Sequence, residues 1–138
     1  MTAVRRGEPA DLAAIRTIQA ASPEAAQWAV TDYLQYDLFV AKQGMHVVGF
    51  LAARPLAPGE CEILNLAVAP DYRRQGVAHA LLAALLESFS GAIYLEVRAS
   101  NTAARSLYKS LGFEEVTARP EYYQNPSEAA IVMKFHSC

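Results

Sequence analysis

The sequence predicts an α/β sandwich on a mixed β-sheet. Three observations point there. Strand-like segments crowd the middle of the chain, from Leu38 to Val68. After them the pattern alternates helix, strand, helix, strand, strand, as a mixed sheet covered by helices requires. An apolar share of 53% against 19% charged residues suits a packed core and excludes disorder. At 138 residues the expectation is one domain spanning 1–138 with a substantial core.

Ala3–Arg6 reads as a short first strand. Glu8-Pro9-Ala10-Asp11 opens a helix, with proline where its missing N–H costs nothing and acids at the positive end; Leu12, Ile15 and Ile18 follow at helical spacing. Ser22-Pro23-Glu24 repeats that logic for a second helix to about Gln35. Leu38–Lys42, His46–Arg54 and Glu62–Val68 read as strands joined by turns at Gln43-Gly44-Met45 and Pro55–Gly59. Val77, Leu81, Leu85 and Phe89 stripe the next helix. Ala92–Arg98 is a strand, and a helix from about Asn101 to Leu111 ends at Gly112. Phe113–Thr117 and Ala129–Phe135 close the pattern as strands around a polar Tyr-Tyr-Gln-Asn-Pro loop.

Charge and composition exclude several classes. A net charge of −2 argues against a nucleic-acid-binding surface, which carries a basic excess. Cys61 and Cys138 are too few for a disulfide framework, and His46, His79 and His136 lack metal-ligand spacing, so no metal is expected. The start, M-T-A-V-R-R-G-E-P, has no signal-peptide core. The apolar run around Ala80–Leu86 is far too short to span a membrane. The expected setting is cytoplasmic, with no membrane partner.

The most informative stretch is V-A-P-D-Y-R-R-Q-G-V-A-H-A-L-L, Val68 to Leu82. A strand ends, a polar turn carries Arg73, Arg74, Gln75 and Gly76, and a helix begins at Val77 and Ala78. Free N–H groups at a helix N-terminus, with the positive end of its dipole, bind phosphate without a dedicated cation. Gly76 permits close approach and Ala78 keeps the first turn thin. The nucleoside-triphosphate and dinucleotide signatures are both absent. In a mildly acidic chain, Arg73-Arg74 supplies the local positive charge a polyanion needs.

Arg73, Gly76 and Ala78 fill the R/Q-x-x-G-x-G/A pattern. With I-L-N-L-A-V-A-P-D-Y before it and L-E-V-R-A-S-N-T-A-A-R-S-L-Y-K-S-L-G-F after it, the chain resembles the GCN5-related N-acetyltransferases over about Glu60 to Met133. Within them it is most similar to the bacterial ribosomal-protein-alanine enzymes (the RimI type). The resemblance implies the acyl-CoA N-acyltransferase fold: a mixed sheet of about seven strands, helices on both faces, and central strands splayed apart at the cofactor. It also implies acetyl-CoA as co-substrate.

Acetyl transfer from a thioester to an amine needs a base for the amine, donors for the oxyanion and a proton for the thiolate. Glu96 is the candidate base. In A-I-Y-L-E-V-R, Ile93, Leu95 and Val97 point to one face and Tyr94, Glu96 and Arg98 to the other. The competing reading is a surface-face glutamate neutralised by Arg98 or another cation. The resemblance assigns the base to the glutamate of L-E-V-R-A-S-N, which is Glu96; Glu62 and then Glu60 are the fallbacks. Tyr108 is the candidate acid, since a phenol of reference pKa about 10 matches a thiolate. A core tyrosine is the bland alternative, and the match to A-L-Y-x-S-L-G-F carries the role.

Asn101 caps the last helix, and the resemblance adds contact with the pantetheine arm. It likewise implies that Leu66, Ala67 and Val68 offer unpaired backbone groups to that arm; ordinary ladder pairing is the alternative. On the acceptor side, Trp28, Tyr33 and Tyr36 and the Tyr122-Tyr123 pair either line a slot or simply pack, and Glu121 either draws a cationic amine or is idle. The chain departs from the RimI pattern at Gln27-Trp28, where the family has proline-tryptophan, and in a shorter late loop. Both departures fall in acceptor-recognising segments.

The function expected is acetylation of a protein or peptide N-terminus, with a ribosomal-protein alanine as the leading acceptor. A small amine such as a polyamine, amino acid or aminoglycoside is the first alternative. A non-catalytic acyl-CoA-binding module is the second, and an acyl group longer than acetyl stays open.

Overall fold

The computed structural model describes residues 2–22, 28–123 and 128–137. Seven strands, β1 (Thr2–Arg6), β2 (Asp37–Gln43), β3 (His46–Ala57), β4 (Glu60–Val68), β5 (Gly91–Arg98), β6 (Glu114–Tyr123) and β7 (Glu128–Ser137), form one mixed sheet in the order β1-β2-β3-β4-β5-β7-β6. Among the described residues three α-helices accompany them: α1 (Leu12–Ala20), α2 (Val77–Ser88) and α3 (Thr102–Ser110). The chain forms two compact units, Met1–Arg54 with Ile63–Ser90 and Pro55–Glu62 with Gly91–Cys138.

In the first unit β1, β2 and β3 pair antiparallel. Ile15 and Ile18 of α1 pack with Val40 of β2, Phe50 of β3 and Leu64 and Ala67 of β4. The spacing of Ile15 and Ile18 on α1 produces this burial, as expected of an amphipathic helix. Val77, Leu81 and Leu85 of α2 are buried too. Gly49 makes room for α2, since a Cβ there would stand 3.0 Å from Val77 Cγ1 and 3.1 Å from the Ala67 carbonyl. Phe89, expected on the same stripe, lies beyond the helix end in extended conformation.

The second helix expected from Ser22 to Gln35 takes another form. Residues 23–27 lie outside the described residues, and Val30–Gln35 is a 3₁₀ helix. The bonds Asp32 N–H to Ala29 O and Tyr36 N–H to Tyr33 O are of the i to i+3 type. Such tight turns are used in short connectors. β3 also runs through Pro55, where a turn was expected, because proline's fixed φ is compatible with extended backbone near a strand end.

In the second unit β4 pairs parallel with β5 from Glu60↔Ala92 to Glu62↔Tyr94. β5 pairs antiparallel with β7 from Gly91↔Ser137 to Arg98↔Ala130. β7 pairs antiparallel with β6, whose register breaks between Glu115 and Thr117 and again between Arg119 and Tyr123. Ile93, Leu95 and Val97 are buried while Tyr94, Glu96 and Arg98 are half-buried, the period-two alternation of a strand with one face in the core.

Candidate active site

In the first unit the chain leaves β4 through a 3₁₀ turn, Pro70–Tyr72, and enters α2 at Val77. Between them Arg74 (φ 63°) and Gly76 (φ 79°) are left-handed. Arg74 is the one non-glycine residue of positive φ among the described residues. That conformation costs an L-residue about 1–2 kcal/mol, and such strain gathers at functional sites. Left-handed residues in a turn are the conformations that let successive N–H groups converge on an anion. Among the described residues the N–H groups of Arg74, Gln75 and Gly76 make no backbone hydrogen bond, and those of Val77 and Ala78 open α2 with no carbonyl available inside it. This donor ring, at the positive end of a 12-residue helix, fits a phosphate or pyrophosphate.

The side chains brace the ring. Arg73 donates from Nε to the Val68 carbonyl (3.1 Å) and from Nη2 to Ser22 Oγ (3.1 Å). Gln75 accepts from Gln43 Nε2 at 3.2 Å and donates to the Asp71 carbonyl at 3.4 Å. Arg74 is exposed and adds positive potential beside the free amides. On β4, Leu66 and Ala67 are buried. The Leu66 N–H is accepted by Asn65 Oδ1 at 3.0 Å, so that donor and the Val68 carbonyl are taken up by side chains.

Tyr33 is fully buried, its ring tilted against Phe50 at 5.4 Å. Its hydroxyl donates to Gln19 Oε1 at 2.5 Å and accepts from Asn65 Nδ2 at 3.2 Å. Burial pushes the Tyr33 phenol up to about 12, with the Asn65 bond opposing; it stays a neutral donor. Gln19 Nε2 in turn donates to the Trp28 carbonyl at 2.7 Å. Trp28 itself is exposed. Of the aromatic residues expected on the acceptor side, Tyr33 is therefore a core residue, while Trp28 stands at the surface.

In the second unit Glu96 lies on β5 with its side chain 19% exposed. Arg98, one candidate for its counter-ion, donates to Glu128 at 3.0 Å. Arg119 of β6 reaches Glu96 instead, Nη1 to Oε1 at 2.6 Å. The other oxygen, Oε2, is buried and has no hydrogen-bond partner among the described residues. A buried acceptor left unsatisfied is costly, and a catalytic role is one of the reasons such a group is retained. Glu62, the fallback base, is half-buried on β4 opposite Tyr94.

Tyr108 is the buried residue of α3. Its carbonyl accepts the Phe113 N–H at 2.9 Å while Lys109 O accepts Gly112 N–H at 3.0 Å, with Gly112 left-handed at φ 102°. This is a Schellman C-cap. The Tyr108 ring meets Phe113 edge-on at 5.7 Å. At the other end Asn101 accepts the Ala104 N–H at 3.1 Å as the N-cap. Tyr122 is exposed and lies under the Arg119 guanidinium, 4.2 Å from ring centroid to Cζ. The side chains of Glu121 and Tyr123 lie outside the described residues.

Sequence reasoning missed Arg119, Asn65 and Gln19. Asn65 carried a signal, a lone polar residue inside I-L-N-L-A-V. Arg119 carried less: one cation before the Pro120 that interrupts β6.

The first unit thus offers a phosphate-type donor ring at the start of α2, and the second a half-buried carboxylate on β5. Residues 11–113 match the acetyltransferase (GNAT) family, and the chain belongs to that family. It is 48% identical over 80 residues to the [ribosomal protein bS18]-alanine N-acetyltransferase of Escherichia coli strain K12, covering 54% of each chain. The chain thus spans about half the length of that curated relative. The crystal structure of the ribosomal-protein-S18-alanine N-acetyltransferase from Escherichia coli superposes with a TM-score of 0.79 at 34% identity, over 98% of this chain and 93% of that one. Ard1 from Thermoplasma volcanium gives a TM-score of 0.89 at 27% identity, over 99% and 98%.

Proposed function

We propose that this protein transfers an acetyl group from acetyl-CoA to the N-terminal α-amine of a protein, a ribosomal-protein alanine being the first acceptor to test. The observation that carries the reading is Glu96, with one carboxylate oxygen held by Arg119 and the other buried and without a partner among the described residues. Family membership and the similarity, in sequence and in structure, to the ribosomal-protein-S18-alanine N-acetyltransferase of Escherichia coli support the reaction class.

Each residue then has a task. The N–H groups of Arg74–Ala78 hold the carrier's pyrophosphate, and Arg73 keeps that loop tied to β4. The carrier supplies an acetyl thioester. Glu96 Oε2 accepts the proton the α-ammonium must lose before its nitrogen can attack; such an amine has a reference pKa near 8, so a carboxylate working through water suffices at neutral pH. As the C–N bond forms and the C–S bond breaks, Tyr108 gives its phenolic proton to the departing sulfur. Asn101 holds the start of α3, and with it the helix that carries Tyr108. Trp28 and Tyr122, both exposed, flank the acceptor.

The test is a library of N-terminal peptides incubated with acetyl-CoA and read by mass, beside a panel of free polyamines, amino acids and aminoglycosides. Acetylated peptide α-amines are expected. Activity confined to the free amines overturns the peptide reading, and coenzyme A binding without transfer to any amine overturns catalysis. Glu96→Gln should lower kcat by about 100-fold or more with coenzyme A affinity retained, and undiminished turnover removes Glu96 as the base.

A further inference from the structure

We infer that Arg119 is a positioning residue for Glu96, itself seated by Tyr122; this rests on Glu96 acting as the base. β6 carries two register breaks, and the second defines the geometry. Arg119 pairs with Ala130 and Tyr123 with Glu128, so Pro120, Glu121 and Tyr122 stand opposite Ala129 alone. Proline has no N–H to give to a ladder and is at home in such a bulge. In a regular strand positions 119 and 122 would point to opposite faces. The bulge brings them together, with the Tyr122 ring under the guanidinium at 4.2 Å.

Arg119 approaches Glu96 with one nitrogen on one oxygen. The pair is unequal: Arg119 is 51% exposed and Glu96 19%. A pair serving stability alone gains most from bidentate contact, which satisfies both carboxylate oxygens. Here the single bond holds Oε1, compensates the carboxylate's charge and leaves Oε2 as the buried acceptor. Tyr122 lowers the freedom of a long side chain that would otherwise have to be ordered with each turnover. Register places Arg119 beside Ala130 of β7, which pairs with Arg98 of β5, and places Val132 beside Glu96. Arg98 donates to Glu128. The Glu96–Arg119 bond therefore runs diagonally across β7.

The test compares Arg119→Ala, Arg119→Lys and Tyr122→Leu with Glu96→Gln, each on the full chain, measuring kcat, KM for the acceptor peptide and coenzyme A affinity. Arg119→Ala should lower kcat by about 10-fold or more with coenzyme A affinity held within about twofold, and Arg119→Lys should restore most of kcat. Placed in the Glu96→Gln background, Arg119→Ala should change kcat by less than about twofold, because residues acting as a unit do not add. Tyr122→Leu should fall between wild type and Arg119→Ala. Should Arg119→Ala lose cooperative unfolding, Arg119→Gln takes its place. Full kcat in Arg119→Ala beside a crippled Glu96→Gln overturns the inference and leaves the base intact. Losses that multiply in the double variant overturn it equally. Undiminished turnover in Glu96→Gln instead strikes the reading of the base itself.

Discussion

Asn65 places its side-chain carbonyl 3.0 Å from the backbone N–H of its own neighbour Leu66 and turns its amide toward Tyr33 and Gln19. An asparagine in the apolar run of β4 is expensive to bury unless its polar atoms are met. Here they are met by α1, by the 3₁₀ helix Val30–Gln35 and by β4 itself. Tyr33, Gln19 and Asn65 are all buried, so the three side chains form one network that ties the segment after α1 to β4. Buried networks specify one arrangement when every member is satisfied.

Tyr33→Phe should therefore destabilise the fold by about 1–2 kcal/mol, since it removes both the donor to Gln19 and the acceptor for Asn65. Asn65→Leu should cost a similar amount, and the double variant should lose less than the sum because the two share bonds. Urea unfolding of the three variants checks this. Strictly additive losses would show that the two side chains act independently.

Where periodicity or local capping decides the structure, the sequence was readable. Alternation in I-Y-L-E-V-R put Glu96 on the open face of β5, and Asn101 and Gly112 marked the two ends of α3. The loop Arg73–Gly76 was legible because glycine and the strand-to-helix switch are local signals. Arg119 was not: its meeting with Glu96 depends on a bulge at Pro120–Tyr122 and on β7 standing between β5 and β6. For Tyr33 the sequence left a slot-lining and a packing role open, and its burial and its partners on other elements decide for packing. The 3₁₀ form of Val30–Gln35 was equally hidden, because short helices of either kind share capping signals and tertiary packing selects between them.

The donor ring at the start of α2 can be tested without turnover. Gly76 sits at φ 79°, and a Cβ added there would find no other atom within 4 Å, so Gly76→Ala meets backbone strain alone, about 1–2 kcal/mol. The chain relieves that strain by rotating the amides that follow. Calorimetry should show coenzyme A affinity reduced by about tenfold or more, the change that follows if that strain falls on binding. Gly44→Ala is the control. Gly44 is also left-handed, at φ 61°, and open on all sides, yet it lies in the turn between β2 and β3. It should lower stability and leave affinity alone. Equal affinity losses in both would point to general loosening.

Stability should depend on pH through Asp11. Arg5 grips this carboxylate with two bonds, Nη1 to Oδ2 at 2.8 Å and Nη2 to Oδ1 at 2.9 Å, and the Glu8 N–H adds a third at 2.7 Å. The Arg5 hydrogen bonds hold the Asp11 carboxyl below its ordinary range against the opposing effect of burial, and the same bonds raise Arg5. A carboxyl whose folded pKa is depressed binds protons more readily when unfolded. Its contribution is fully present above the unfolded value of about 3.9 and is lost as pH falls through the folded one. Arg5 stays charged throughout and adds no titration of its own in that window. Asp11→Asn should therefore lower Tm by a constant amount from neutral pH down to about 5, and the gap should close below about 4. Asp37→Asn removes the exposed partner of Arg6 and should move Tm little, since exposed pairs contribute about 0–1 kcal/mol. Thermal unfolding of the three proteins from pH 7 to 2.5 makes the comparison. A gap between wild type and Asp11→Asn that persists unchanged at the acid end would mean that Asp11 acts through shape and neutral hydrogen bonding, with its charge irrelevant.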